Sequence, residues 1–172
     1  MTMSMYAASV PVFQHMLRNL VHILDKGEAS AQARGFDPSA LTTDRLAPDM
    51  LPFTRQVLIA CDAAKLGVAR ISGVEAPKFE DNEATFAELK GRIRKTLDYL
   101  DAVPASAVDG TEDKEITFPV GRDKTRTMKA QADLTSWARP NFFFHVTTAY
   151  AILRHNGVVL GKADYLAGSA GR

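Results

Sequence analysis

His145 sits inside the run Phe142-Phe143-Phe144-His145-Val146-Thr147-Thr148-Ala149-Tyr150. An imidazole among aromatics can hold a metal ion, relay a proton or anchor a ligand by one hydrogen bond. Each use needs partners at a defined spacing. On a helix, a second metal ligand belongs three or four residues away, so that both side chains reach one ion. Those positions hold Thr148 and Ala149, and Asn141 lies four residues before. His145 is thus the single metal candidate on its helix, and the plainer reading is a core-edge histidine hydrogen-bonded to a neighbour. Asp49 and Gln56, seven residues apart, are expected on one edge of the second helix, facing His145 across the interior. With Tyr150, farther round the last long helix, they complete the pocket candidates.

Other polar residues receive quieter readings. Arg45 lies one turn before Asp49, as an ion pair fixing the helix entry would require. Arg55 and Asp62, also seven apart, share the side of Leu58 and suit an interface. His15 and His22 lie opposite the stripe Phe13, Leu17, Leu20 and Leu24, so solvent is their expected surrounding. Cys61 falls within an apolar stripe, where a thiol is inert packing. The glycines and lysine of Gly157-Val158-Val159-Leu160-Gly161-Lys162 have the wrong spacing for a phosphate loop. No nucleophile elbow, paired zinc cysteines or dinucleotide fingerprint is present.

Four amphipathic stretches must position these groups. The first is predicted from about Met5 to Arg34, closed by Gly35. The second starts near Pro48 or Pro52, both of which suit a helix start and not its interior, and ends near Ser72-Gly73; its stripe is Met50, Phe53, Val57, Ala60, Cys61, Ala64, Val68 and Ile71. Leu58 and Leu66 lie off that stripe, which marks them as interface candidates. The third starts at a cap on Asp81 or Asn82, buries Phe86, Leu89, Ile93, Leu97 and Leu100, and turns Glu88, Arg92, Lys95 and Asp98 to water. Pro104 stops it. Glu115–Val120 and Arg126–Ala130 alternate around Gly121-Arg122-Asp123, the pattern of a β-hairpin with Pro119 on an open edge. The fourth helix is predicted from about Pro140 to His155, with Gly157 as its left-handed cap. A last turn follows within 160–166. The expected architecture is all-α: an antiparallel four-helix bundle with a small β-hairpin between helices three and four, one domain over 1–167 and a flexible tail over 168–172.

The chain has 172 residues, 46% of them hydrophobic, enough for a continuous core. Its 21 basic and 20 acidic residues leave a net charge of +1. That balance gives no electrostatic case for nucleic acid or an anionic membrane. No apolar run approaches a membrane span. The start, Met1-Thr2-Met3-Ser4-Met5-Tyr6, does not read as a secretory leader, and a single cysteine forms no internal disulfide, so the expected compartment is the cytoplasm.

Several blocks together resemble a known family. They are Val10-Pro11-Val12-Phe13, Arg45-Leu46-Ala47-Pro48-Asp49-Met50, Arg55-Gln56-Val57, Pro77-Lys78-Phe79-Glu80-Asp81-Asn82-Glu83 and the run from Phe144 to Gly157. The chain resembles an uncharacterised bacterial family, a domain of unknown function placed with the DinB/YfiT-like bundles. The resemblance implies a DinB-like fold, often homodimeric. Better-known DinB-like relatives hold a divalent metal through three histidines, one on the second helix and two in an H-x-x-x-H pattern on the fourth. Some act as thiol-dependent transferases or isomerases. His145 matches the first histidine of that pattern, Ala149 occupies the place of the second, and the second helix offers only Asp49 or Gln56. The residues thus disfavour a divalent metal. The reading they favour is a bundle that takes a small, partly apolar molecule in an interior pocket near His145. A metal-dependent thiol transferase or isomerase with a non-standard ligand set, and a dimeric interaction or stress-response module without a small ligand, are the alternatives.

Overall fold

The computed structural model describes residues 3–121 and 123–171. Among them α1 spans Val10–Arg34, α2 Ser39–Thr42, α3 Phe53–Ser72, α4 Phe86–Ala102 and α5 Ala105–Val108. Strands β1, Glu115–Val120, and β2, Lys124–Lys129, follow. The chain returns to helix as α6, Ala130–Asp133, a π-helical turn at Leu134–Ala138, and α7, Arg139–His155. It ends in α8, Lys162–Ala167, and a 3-10 turn over Gly168–Gly171. Gly168 is buried against Asn19 of α1. Arg122 and Arg172 lie outside the described residues. The protein is mostly helical, with one small antiparallel sheet.

The four long helices form where the periodicity places them, and their ends have local causes. Pro11 occupies the first turn of α1, where a missing N–H costs no helical bond. The helix therefore begins at Val10 and not at Met5, and residues before it form turns. Gly35 and Gly73 adopt φ of 71° and 79° beyond α1 and α3, the left-handed conformation glycine takes at no Cβ cost. α4 starts on Thr85, not on Asp81 or Asn82. The Thr85 hydroxyl accepts from the Glu88 N–H at 3.3 Å, and the Glu88 carboxylate accepts from the Thr85 N–H at 2.9 Å. Thr85-Phe86-Ala87-Glu88 is a capping box, and its reciprocal pair of bonds outweighs a lone acidic cap.

The last long helix begins ten residues earlier than Pro140 suggests. Proline has no N–H to donate and crowds the carbonyl four residues before it. The π-helical turn just upstream widens the coil there, so the chain passes through Pro140 without leaving the helix. The hairpin pairs Glu115 with Lys129 through Val120 with Lys124, and Pro119 faces Thr125. Short helices of four residues carry no readable period, so α2 and α5 are additions to the four predicted.

One apolar cluster runs through the molecule. It joins Phe13, Leu17, Leu20 and Leu24 of α1, Phe53, Val57, Ala64 and Val68 of α3, Leu89 and Ile93 of α4, and Phe142, Val146 and Leu153 of α7. Phe13 meets Phe142 edge-on, with ring centroids 4.9 Å apart. Leu58 is 1% exposed and belongs to the same cluster, so the apolar side expected to reach a second subunit is covered by the chain itself. Leu66 is 43% exposed. No helix among the described residues is long and apolar enough to cross a membrane.

Candidate functional site

α3 and α7 pack along their lengths and bring Gln56 and His145 together. The imidazole Nδ1 lies 2.7 Å from Gln56 Oε1. The Gln56 amide nitrogen donates to the Leu51 carbonyl at 2.8 Å. Gln56 is 2% exposed and His145 9%. Gln56 sits one turn into α3, so the extended chain before Phe53 passes within reach of its amide. His145 falls at the edge of the α7 core face, between buried Phe142 and buried Thr148. Burial lowers the imidazole below its ordinary pKa, because a charged ring would lose hydration. His145 Nε2 has no partner among the described residues. The residue as a whole keeps a small exposed fraction.

Asp49 does not join this pair. It lies exposed on the turn before α3. Pro52 is extended, with φ −68° and ψ 166°, so helical register begins only at Phe53 and the seven-residue spacing to Gln56 has no meaning there. The Arg45–Asp49 ion pair is absent among the described residues, because the Arg45 guanidinium donates to the Met50 carbonyl. Tyr150 points elsewhere, its ring edge-on to Tyr165 of α8 at 5.9 Å.

The aromatic run is divided by the helical turn. Phe142 enters the core, while Phe144 is 55% exposed and meets the His145 ring edge-on at 5.1 Å. Leu46, Pro140, Phe143, Phe144, Thr147, Thr148 and Ala151 line a cleft of about 360 Å³ on the outer side of α7. His145 is not in that lining, but its neighbours Phe144 and Thr148 are. The cleft opens at the surface, whereas the sequence suggested an interior cavity. No charged side chain lines it.

The residues around His145 do not fit a three-ligand metal site. Ala149 carries no donor, the Thr148 hydroxyl donates to the Phe144 carbonyl at 2.7 Å, and Gln56 Oε1 is taken up by the imidazole N–H. Among the described residues no group of three histidine, cysteine or acidic side chains is placed to hold a metal ion.

Two polar clusters lie away from this pair. Arg92, expected in water, is 1% exposed. Its guanidinium reaches Asp62 at 2.9 Å, Asp81 at 2.8 Å and Glu83 at 3.2 Å, and stands over the Phe79 ring. Lys65 adds a bond to Asp62 at 2.9 Å and lies over the same ring. Arg55 approaches Asp81 at 3.7 Å. Arg55 thus reaches the 73–84 segment directly, and Asp62 does so through Arg92, so both are engaged within the chain. The second cluster is on α1. His15 bonds the Leu166 carbonyl, Asn19 the Tyr165 carbonyl, and His22 and Lys26 the Asp164 carboxylate, all within 2.7–2.9 Å. His15 is exposed but engaged, and His22 is half-buried. The stripe expected to face solvent is the seat of α8. Burial alone would raise the Asp164 carboxyl, but hydrogen bonds from His22, the Gly161 N–H and Lys26 outweigh it and hold the group well below the usual carboxylate range. The spacing of His15, Asn19, His22 and Lys26 is one helical stripe, a signal the sequence carries but with nothing to say what lies on it.

Cys61 is fully buried, and burial pushes its thiol up to about 12. It stays protonated and apolar in character.

Residues 5–166 match the sequence pattern of a family described as a domain of unknown function (DUF1993). A crystal structure of a DinB family member protein from Shewanella denitrificans is similar throughout, with 43% sequence identity and a TM-score of 0.86. The alignment covers 94% of this chain and 90% of that one. No curated protein matches the chain.

Proposed function

The chain belongs to the DinB-like family of domains of unknown function DUF1993, and from that premise we propose that it binds a small, partly apolar molecule beside His145. The observation that carries this reading is the Gln56–His145 hydrogen bond of 2.7 Å, anchored in turn by the Leu51 carbonyl. A histidine held in one orientation, with its second nitrogen unpartnered and a neighbouring apolar cleft, supports a ligand anchor. In this reading Gln56 positions His145, Phe144 and Thr148 supply the contact surface, and the four long helices act as an antiparallel bundle that holds the pair rigid. Leu66, and not Leu58, is the residue through which a homodimer would associate. The lone buried Cys61 suits a reducing compartment such as the cytoplasm.

A fragment screen by ligand-observed NMR tests the reading. Binders at millimolar concentration are expected to weaken together in His145→Ala and Phe144→Ala and to persist in Leu66→Ala. A screen without binders, or binders lost equally in Leu66→Ala, removes it.

A further inference from the structure

The hydrogen bonds around Gln56 fix more than the orientation of the ring. The Leu51 carbonyl oxygen can only accept, so the Gln56 atom 2.8 Å from it is the amide NH2. The other Gln56 terminal atom is then the carbonyl oxygen, which also only accepts. The hydrogen between it and His145 must therefore sit on Nδ1. One backbone carbonyl thus sets the tautomer of an imidazole two bonds away in the chain of contacts. A neutral imidazole with its proton on Nδ1 carries a lone pair at Nε2 and can only accept there. Burial favours that neutral form.

The surroundings point the same way. The cleft that shares Phe144 with the imidazole contact is lined by Leu46, Pro140, Phe143, Phe144, Thr147, Thr148 and Ala151, none of them charged. An anion entering such a cleft would lose its hydration with no cation to replace it. An anion reaching Nε2 from beside Phe144 would meet a lone pair and not a proton. The Thr148 hydroxyl is already committed to the Phe144 carbonyl at 2.7 Å.

We infer that the molecule anchored at His145 is an uncharged hydrogen-bond donor, a hydroxyl or amide N–H on an apolar body, received by the Nε2 lone pair. The inference rests on the ligand-binding reading above and narrows it to a chemical class. It places His145 as an acceptor and Gln56 as the positioning residue that keeps it one.

Three probes of similar size separate the chemistries: phenol donates, anisole does not, and benzoate is an anion. Long-range 1H–15N correlation of the labelled protein reads the His145 tautomer directly. The expected spectrum has the proton on Nδ1. Phenol is expected to shift Nε2 saturably, with anisole needing about tenfold more to move the same cleft resonances, the worth of one hydrogen bond, and benzoate leaving Nε2 unmoved. Gln56→Glu puts a carboxylate beside Nδ1, which favours the imidazolium and turns Nε2 into a donor. The preference should then pass from phenol to benzoate. A proton on Nε2 in the parent protein, or anisole or benzoate equal to phenol, overturns the inference while leaving a pocket in place. So does phenol moving Phe144 and Thr148 without Nε2. If no probe moves Phe144, Thr148 or His145, the pocket itself fails and the inference with it. The parent titrations decide the matter even if Gln56→Glu does not fold.

Discussion

At the scale of single residues, titration is the sharpest test. Burial holds the folded His145 imidazole below its ordinary pKa of about 6.5. As the pH falls through that value, the unfolded chain takes up a proton that the folded chain resists. Stability therefore rises with pH across the window from the lowered folded value up to about 6.5, and declines on acidification through it. The difference in urea unfolding free energy between pH 7 and pH 5 is expected to shrink in His145→Leu; an unchanged difference would contradict the burial argument. Asp164 shifts in the same direction but acts in a more acidic window. Its folded pKa is depressed, so its contribution is complete above about 3.9, the ordinary aspartate value, and is lost as the pH falls further. Asp164→Asn should weaken the hold of His22 and Lys26. Amide hydrogen exchange over 162–167 is then expected to quicken, while α3 and α7 keep their protection. Equal protection of 162–167 in both proteins would mean that Asn19 and His15 suffice to seat α8.

At the scale of elements, the informative contrasts are between side chains that share a helix but not a surrounding. Arg92 lies on the face of α4 that carries Glu88, Lys95 and Asp98, yet it is buried among three carboxylates from α3 and the 73–84 segment. Removing one partner from such a cluster leaves uncompensated charge, at a cost of about 3–5 kcal/mol. Arg92→Met should lower stability by that order and open 73–84 to limited proteolysis; cleavage elsewhere first would show that the segment is held by Lys65 and Phe79 instead. On α3, Leu58→Glu buries a charge within the monomer and should cost more than about 4 kcal/mol. Leu66→Glu should cost little. Thermal melts and light scattering on both variants separate folding from association: loss of folding confined to Leu58→Glu fits the observed burial.

At the scale of the molecule, close approach of the long helices sets the tolerance of the core. A Cβ added at Gly27 of α1 would come within 2.9 Å of Leu153 Cδ1 on α7 and 3.3 Å of the Phe86 ring on α4. Three elements would have to part around one methyl group. Overpacking of this kind costs about 1–3 kcal/mol, so Gly27→Ala should lower the midpoint of thermal unfolding, despite the higher helix propensity of alanine. A rise in the midpoint would show that Leu153 finds another rotamer without cost. Much of this architecture was legible from spacing: the four long helices, the hairpin around Gly121, the helix-ending glycines at 35 and 73, and the buried Cys61. The Gln56–His145 contact was within reach because both residues sit at the edges of strong apolar stripes. Asp49 was misplaced because a proline stopped the helical register on which its spacing depended. Arg92 and His22 were given to water because a polar face looks the same whether solvent or another charged segment covers it.

By itself the sequence determined which faces are apolar, where helices must end, and that only one histidine stands at a core edge without a second ligand on its own helix. These follow from repulsion, chirality and water, which act over a few neighbouring residues. Only the tertiary structure decided that Gln56 turns its oxygen to Nδ1, that α8 rests on the stripe of His15 and His22, and that Leu58 is covered from within. Each depends on groups distant in the chain meeting at hydrogen-bond or van der Waals range, and helical spacing specifies the direction of a side chain without specifying what it meets.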